Sequence, residues 1–314
     1  MIGWGSWANT QKLAGRTNWP FPLYYWDYAI GVLLFSVLFM FTLGSSGTGG
    51  MPAIANLKAA SGASVFAAIL SGILFNVANI LLVFAIDIAG MSVAFPVGIG
   101  LALVIGTIAS YTQEPKGNPV ILFAGVALVV VAMIMSALAY RRLPRSASAN
   151  WTKGLLFAVI AGCLMGFFYP QLLRSLSPGF NSQPITPGLL TPYTALFFFS
   201  LGLLLSNFIV NTIFMRATGQ TYGAYFAGTA KLHSLGILGG AIWMLAFSLN
   251  IIASGVAGPA ISYALGQGAT LIAAIWGVVI WKEFSAAPRG TGRSIGAMFA
   301  GYILGLTLIG LATL

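Results

Sequence analysis

The sequence predicts an all-α polytopic membrane protein whose ten transmembrane helices form two inverted five-helix repeats. Three observations carry that prediction. Of the 314 residues, 59% are hydrophobic and only 6% are charged, and the mean hydropathy is +0.95; soluble domains carry about a quarter charged residues. The apolar residues fall in runs of about 20, the length that crosses a hydrocarbon core as a helix, whereas β-barrel strands are near 10 residues and alternate. The third observation is an internal similarity between the two halves, described below.

Apolar runs bounded by charge, Pro and Gly clusters place spans near residues 1–13, 27–44, 63–87, 91–111, 119–140, 154–172, 192–214, 231–252, 256–281 and 294–313. The first is anomalous. As a helix rising about 1.5 Å per residue it covers roughly 20 Å, short of a core of about 30 Å, so it either begins inside the membrane or lacks an upstream start. Assigning basic residues to alternate sides puts Lys12, Arg16, Arg141, Arg142, Arg145, Lys153, Arg216, Lys231, Lys282, Arg289 and Arg293 on one face, against Lys58, Lys116 and Arg174 on the other. By the positive-inside rule the larger set is cytoplasmic, with both termini extracytoplasmic in an inner or plasma membrane. The same rule accounts for the net charge of +10, and no nucleic-acid partner is expected. The basic, small-residue connector RRLPRSASANWTK (141–153) joins two halves, 1–145 and 146–314.

Laying the third and fourth spans over the eighth and ninth with an ungapped offset of 168 matches Gly72 with Gly240, Ala78 with Ala246, Leu81 with Leu249 and Ala85 with Ala253. It also matches Ala89 with Ala257, Gly90 with Gly258, Gly98 with Gly266, Gly100 with Gly268 and Leu103 with Leu271. The glycines weigh most, because glycine is retained where helices approach closely or end. Five spans per half force the second half to enter the membrane from the opposite side, the pattern of secondary transporters. In that pattern Gly98, Gly100, Gly266 and Gly268 permit close helix passage.

Polar side chains at membrane depth need a partner or a wet cavity. Four groups of candidates for touching a solute follow. The first span carries Trp4, Trp7 and Asn9; the third places Asn76 and Asn79 on one helical face; the sixth sets Tyr169 and Gln171 around the helix-disturbing Pro170; the eighth and ninth supply Trp243, Tyr263 and Gln267. Gln267, near midspan beside the paired glycines, is the residue most expected to contact a polar solute. Indoles and amides that both donate and accept suit a small neutral molecule such as a nucleobase, ureide or sugar. The competing readings are an interfacial aromatic belt for the tryptophans, interhelical bonding for the asparagines and a simple kink at Pro170.

The acids number four, with one histidine and one cysteine, which leaves little for hydrolytic, metal or disulfide chemistry. No enzyme activity and no cofactor are expected, a proton or sodium ion being the coupling partner. Asp27 and Asp87 are the coupling candidates, weighed against a helix-terminal charge at the interface for each. His233 reads as a packed, surface-proximal residue, Glu114 as structural and Glu283 as a cytoplasmic anchor.

The segments GSW (5–7), WDY (26–28), TLGS (42–45), the run from Asn76 to Tyr111, YTALFFFSLGLLLSNFIVN (193–211) and the stretch from Gly236 to Phe284 ending in WGVVIWKE resemble the ureide permease family. The resemblance implies the drug/metabolite transporter fold, related to bacterial glucose/ribose and rhamnose porters, with spans one, three, four, six, eight and nine around a central cavity. Plant members of that family import allantoin and pyrimidine nucleobases with protons and carry a long cytosolic loop between spans five and six. Here that connector is about a dozen residues, as in bacterial short forms grouped with sugar porters. The family's first span is also longer, and its acidic residue after TLG is Ser45 here.

The expectation is therefore an alternating-access importer of a small neutral polar metabolite of ureide or nucleobase type, coupled to protons, working in the bilayer as a monomer or homodimer. The alternative is a glucose/ribose-type sugar transporter or facilitator. A multidrug exporter would want a midplane acid, and a non-transporting scaffold or sensor would normally append a soluble output domain.

Overall fold

The computed structural model describes residues 1–47, 50–143, 151–180 and 184–314. Arg145 and the expected boundary between residues 145 and 146 lie outside them. The described residues form α1 (Ile2–Ser6), α2 (Ala8–Gly15), α3 (Phe21–Phe41), α4 (Ala53–Ala59), α5 (Gly62–Ala89), α6 (Met91–Gln113) and α7 (Pro119–Tyr140). They continue with α8 (Trp151–Leu173), α9 (Pro192–Ala217), α10 (Tyr222–Phe226), α11 (Ala230–Ala257), α12 (Pro259–Gly266), α13 (Ala269–Ile275) and, after a wide turn at Trp276–Ile280, α14 (Thr291–Leu311).

Local chemistry explains the helix starts. Asn118 accepts from the amides of Val120 and Ile121 at 3.0 and 3.3 Å, with Pro119 opening α7; Thr191 caps α9 in the same way, ahead of Pro192. In both cases a side-chain oxygen takes amides the helix cannot satisfy, and a proline occupies the position where no amide is needed. Pro22 similarly lies in the first turn of α3, which begins at Phe21, earlier than the apolar run alone suggested. Pro170 does not end its helix, since α8 runs through it to Leu173.

Nine helices among the described residues are long and apolar enough to cross a membrane, so the all-helical polytopic reading holds, and nine of the ten expected segments are of full span length. The first segment is the difference. It consists of α1 and α2 joined through Trp7, whose backbone stays helical, and neither approaches the required length. The ninth apolar run is broken as well: α12 stops at Gly266 and α13 restarts at Ala269, the two flanking glycines weakening helix propagation around Gln267.

The contacts divide the chain into two compact units that are not its sequence halves. One comprises Ile2–Asn76 and Gln171–Val256; the other comprises Met1, Val77–Pro170 and Ala257–Leu314. Each draws on both halves, and the boundary falls inside α5.

Within the first unit the helices pack reciprocally. A Cβ on Gly72 of α5 would strike the Phe199 carbonyl oxygen and lie 2.8 Å from the Leu203 amide nitrogen of α9. A Cβ on Gly240 of α11 would strike the Tyr28 carbonyl oxygen and lie 2.8 Å from the Val32 amide nitrogen of α3. Gly31 of α3 abuts the backbone of Ile237, and Gly202 of α9 abuts that of Ile69. The shift that carries Gly72 onto Gly240 also carries Ile69 onto Ile237, and one common shift carries Tyr28, Gly31 and Val32 onto Phe199, Gly202 and Leu203. Two glycine-mediated crossings thus use the same atoms in the same order, as an internal two-fold requires. Gly90 and Gly258, matched in sequence, both precede a helix start with φ of 81° and 91° and ψ of 158° and 147°, a region open to glycine and strained for other residues.

The second unit pairs α7 with α14. A Cβ on Gly125 would lie 2.7 Å from the Gly305 carbonyl oxygen, and one on Gly305 would lie 2.9 Å from the Gly125 carbonyl oxygen. Close backbone approach of this kind is how membrane helices gain packing without a hydrophobic driving force.

Gly72→Ala and Gly240→Ala should each destabilise the protein by about 1–3 kcal/mol, because the new methyl meets backbone that cannot rotate away. Thermal unfolding in detergent is the measurement. Gly296→Ala, with nothing within 4 Å of its Cβ, is the control, expected to be neutral or slightly stabilising.

Candidate functional site

In the first unit, aromatic side chains from α1, α3, α5, α9 and α11 converge on Trp243. Its ring centroid lies 4.5 Å from Phe75, 5.0 Å from Phe247, 5.9 Å from Trp4, 6.0 Å from Phe199 and 6.4 Å from Tyr28. Trp4 stacks on Trp243 with 20° between planes, and Trp7 lies 5.0 Å from Tyr28. These rings offer flat, polarizable surfaces of the sort that stack on planar solutes.

The polar atoms of this unit are unevenly satisfied. Asn76, fully buried, donates from Nδ2 to Ser206 Oγ at 2.9 Å, while its Oδ1 has no hydrogen-bond partner. The Trp4 indole nitrogen, the Tyr28 hydroxyl and both amide atoms of Asn207 are likewise buried without one. Buried donors and acceptors are ordinarily paired, so each of these atoms asks for an explanation.

A second feature of the same unit surrounds Asp27. Its side chain is buried, at 1% exposure, in the second turn of α3. It accepts from the Tyr225 hydroxyl at 2.8 Å, and His233 Nδ1 lies 2.9 Å from both carboxylate oxygens. Trp19 and Tyr225 pack edge-on against the imidazole, and Gly236 leaves room for the aspartate, since a Cβ there would strike Asp27 Cβ. Burial, and after it the bond to Asp27, hold the Tyr225 phenol well above its ordinary range, so it stays a donor. Asp27 is a buried acid whose partners come from α10 and α11. His233 keeps 25% of its side chain exposed, which makes it the solvent-facing member of the pair.

The remaining expected residues lie as follows. In the first unit, Asn9 of α2 donates from Nδ2 to the Ser6 carbonyl oxygen at the end of α1 at 2.8 Å, and Gln171 accepts from exposed Arg174 at 3.4 Å. In the second unit, Tyr169 and Tyr263 are fully buried 4.9 Å apart, and Tyr263 donates to the Ala102 carbonyl oxygen at 3.0 Å. Its ring also fills the space beside Gly106. Asn79 belongs to this second unit too, as does Gln267, partly exposed at the break between α12 and α13. Asp87 is exposed near the end of α5.

Of the four glycines, Gly98 meets α8 directly, because a Cβ on Gly162 would lie 2.6 Å from the Gly98 carbonyl oxygen. Gly268 faces Met1 and Leu306, Gly266 ends α12, and Gly100 has only Met133 Sδ near it, at 4.0 Å. Sequence reasoning did not single out Tyr28, Phe75, Phe199, Phe247 or Asn207, nor the pairing of Asp27 with His233 and Tyr225. An asparagine four residues before Asn211 inside an apolar helix was the one signal available for Asn207.

Nine span-length apolar helices among the described residues define a multi-pass membrane protein, and known proteins similar to it are permeases. The ureide permease family model matches residues 24–150. Three curated proteins of Arabidopsis thaliana are similar over nearly the whole chain. Ureide permease 4 is 20% identical over 97% of this chain and 93% of its own length, ureide permease 1 is 23% identical over 97% and 93%, and ureide permease 2 is 22% identical over 93% and 89%. The chain is thus a multi-pass membrane protein similar to the ureide permeases over nearly its whole length. The alignments run over 373, 366 and 365 positions, more than the 314 residues here, so each of these plant proteins carries residues this chain lacks.

Proposed function

We propose that this transporter works by alternating access and imports a small, neutral, planar polar solute of ureide or nucleobase type, with protons as the coupling ion and the cytoplasmic face carrying most of the basic residues. The observation that carries the reading is the stacked pair Trp4 and Trp243, with Tyr28 beside it, and two buried polar atoms of these rings without partners: the Trp4 indole nitrogen and the Tyr28 hydroxyl. A planar amide-rich solute supplies both a π-face for the indoles and the hydrogen-bonding edge those atoms lack. The similar plant proteins are ureide permeases, which supports the same solute class. In this reading Asp27 with His233 takes up and releases the coupling proton. Gly98 and Gly268 are the positions where a side chain would most obstruct helix movement.

The test is uptake of labelled uracil, allantoin and ribose into proteoliposomes, with and without an inward proton gradient. Uracil or allantoin uptake should rise several-fold with the gradient while ribose remains at background. Gradient-insensitive ribose uptake alone would make the protein a sugar facilitator and overturn the proposal.

A further inference from the structure

We infer that the Tyr28 hydroxyl is a specificity-determining group of this transporter, selecting solutes that present a carbonyl oxygen to the aromatic cluster. The inference rests on the proposal that the cluster receives a solute, and it arises from how the cluster departs from its own symmetry. The shift relating Gly72 to Gly240 carries Phe75 onto Trp243, and the shift relating Val32 to Leu203 carries Tyr28 onto Phe199. Four of the rings are therefore two related pairs, with Tyr28 6.4 Å from Trp243 and Phe199 5.7 Å from Phe75. The ring framework alone would offer a flat solute two near-equivalent orientations.

Hydrogen-bonding groups remove that equivalence. Tyr28 carries a hydroxyl where Phe199 carries none, and that hydroxyl is fully buried without a partner. The same one-sidedness recurs on the seam between α3 and α9. Ser36 and Ser200 bond each other at 2.6 Å, whereas the positions related to them hold Asn207 and Ala29, and the Asn207 amide has no partner. A phenylalanine at position 28 would fill the same space with no polar atom to desolvate. Keeping the hydroxyl costs free energy in the empty protein and gains only when another molecule completes the bond. Sites built to bond a polar substrate group reject analogues lacking it far more strongly than apolar pockets reject a missing methylene. Beside the Trp4 indole N–H of α1, the phenolic O–H is the unpartnered donor that α3 brings to the cluster, and a carbonyl oxygen is its natural acceptor.

The experiment compares wild type with Tyr28→Phe in proteoliposomes, measuring KM and maximal rate for uracil. Competition by 2-pyrimidinone and 4-pyrimidinone, each lacking one uracil carbonyl, measures discrimination. Tyr28→Phe should raise KM for uracil about tenfold or more, leave the maximal rate of folded protein near wild type, and compress the preference over the analogue lacking the selected carbonyl. Its melting temperature should be unchanged or higher, since an unpaired buried hydroxyl has been removed; a structural role for the hydroxyl would lower it. Unchanged KM with unchanged discrimination would overturn the inference and leave the transporter proposal standing. If wild type takes up no uracil, the nucleobase form of the proposal falls and this inference falls with it.

Discussion

Trp243→Ala should reduce uracil uptake to the level of protein-free liposomes. Trp243 is 5% exposed and is the ring about which Trp4, Tyr28, Phe75, Phe199 and Phe247 gather. Truncation removes the larger stacking surface and leaves a void among rings that cannot all collapse into it, at a cost of about 3–5 kcal/mol. Loss of uptake in this variant therefore mixes folding with binding. Trp243→Phe separates them. It keeps a ring in the cluster at a smaller cost, so the protein should reach the membrane and melt cooperatively, yet its narrower face should raise KM for uracil severalfold. Trp4→Ala, at a less buried position on a short helix, should preserve the helix bundle and raise KM as well. Wild-type KM in both folded variants would remove the stacked indoles from the transport pathway.

The membrane class and the helix inventory were legible in the sequence because apolar length is a strong, local signal. Residues 119–140 were bounded correctly for that reason: Asn118 and Pro119 announce the start, and the apolar run continues to Tyr140. The glycine matches were legible too, and Gly72, Gly90, Gly240 and Gly258 stand where backbones touch or turn. The first segment reads in the sequence as too short for a full span, and the structure shows two short helices there, α1 and α2. The break at Gln267 was missed as a break, although two flanking glycines were in view.

The site was only half legible. Trp4, Trp7, Asn76 and Trp243 stood out because polar and indole groups are rare at membrane depth, and the three tryptophans belong to the aromatic cluster, while Asn76 is a buried amide with one atom unpartnered. Tyr28, Phe75 and Phe199 did not, since an aromatic in an apolar run looks the same whether it faces lipid or a neighbouring ring. Asp27 was visible, but its setting was not. Whether an acid one turn into a helix sits at an interface or in a core depends on partners far along the chain, here Tyr225 and His233. No local pattern connects residues so distant in sequence.

That setting gives the second large effect. Asp27→Asn should abolish uracil accumulation driven by an inward proton gradient while leaving exchange of labelled for unlabelled uracil in place. A coupling group must gain a proton where the proton is abundant and lose it where it is scarce, which requires a titratable acid with restricted but real access to water. Asp27 is buried, and His233 beside it is the partly exposed route. Asparagine keeps the size and an acceptor for the Tyr225 hydroxyl but has no proton to exchange, so the solute can still cross while the gradient can no longer do work on it. Wild-type uptake should rise as external pH falls at fixed internal pH, because the inward proton gradient that drives the coupled step then grows; in Asp27→Asn the profile should be flat. Removing one member of a buried pair can cost about 3–5 kcal/mol, but the asparagine amide still accepts from the Tyr225 hydroxyl, so the folded protein should survive and the exchange assay reports that directly. Glu114→Gln is the control, as Glu114 pairs with Lys116 at 3.2 Å on a partly exposed turn and should leave accumulation unchanged. Gradient-driven accumulation by folded Asp27→Asn with a wild-type pH profile would place coupling elsewhere, with the exposed Asp87 as the next acid to replace.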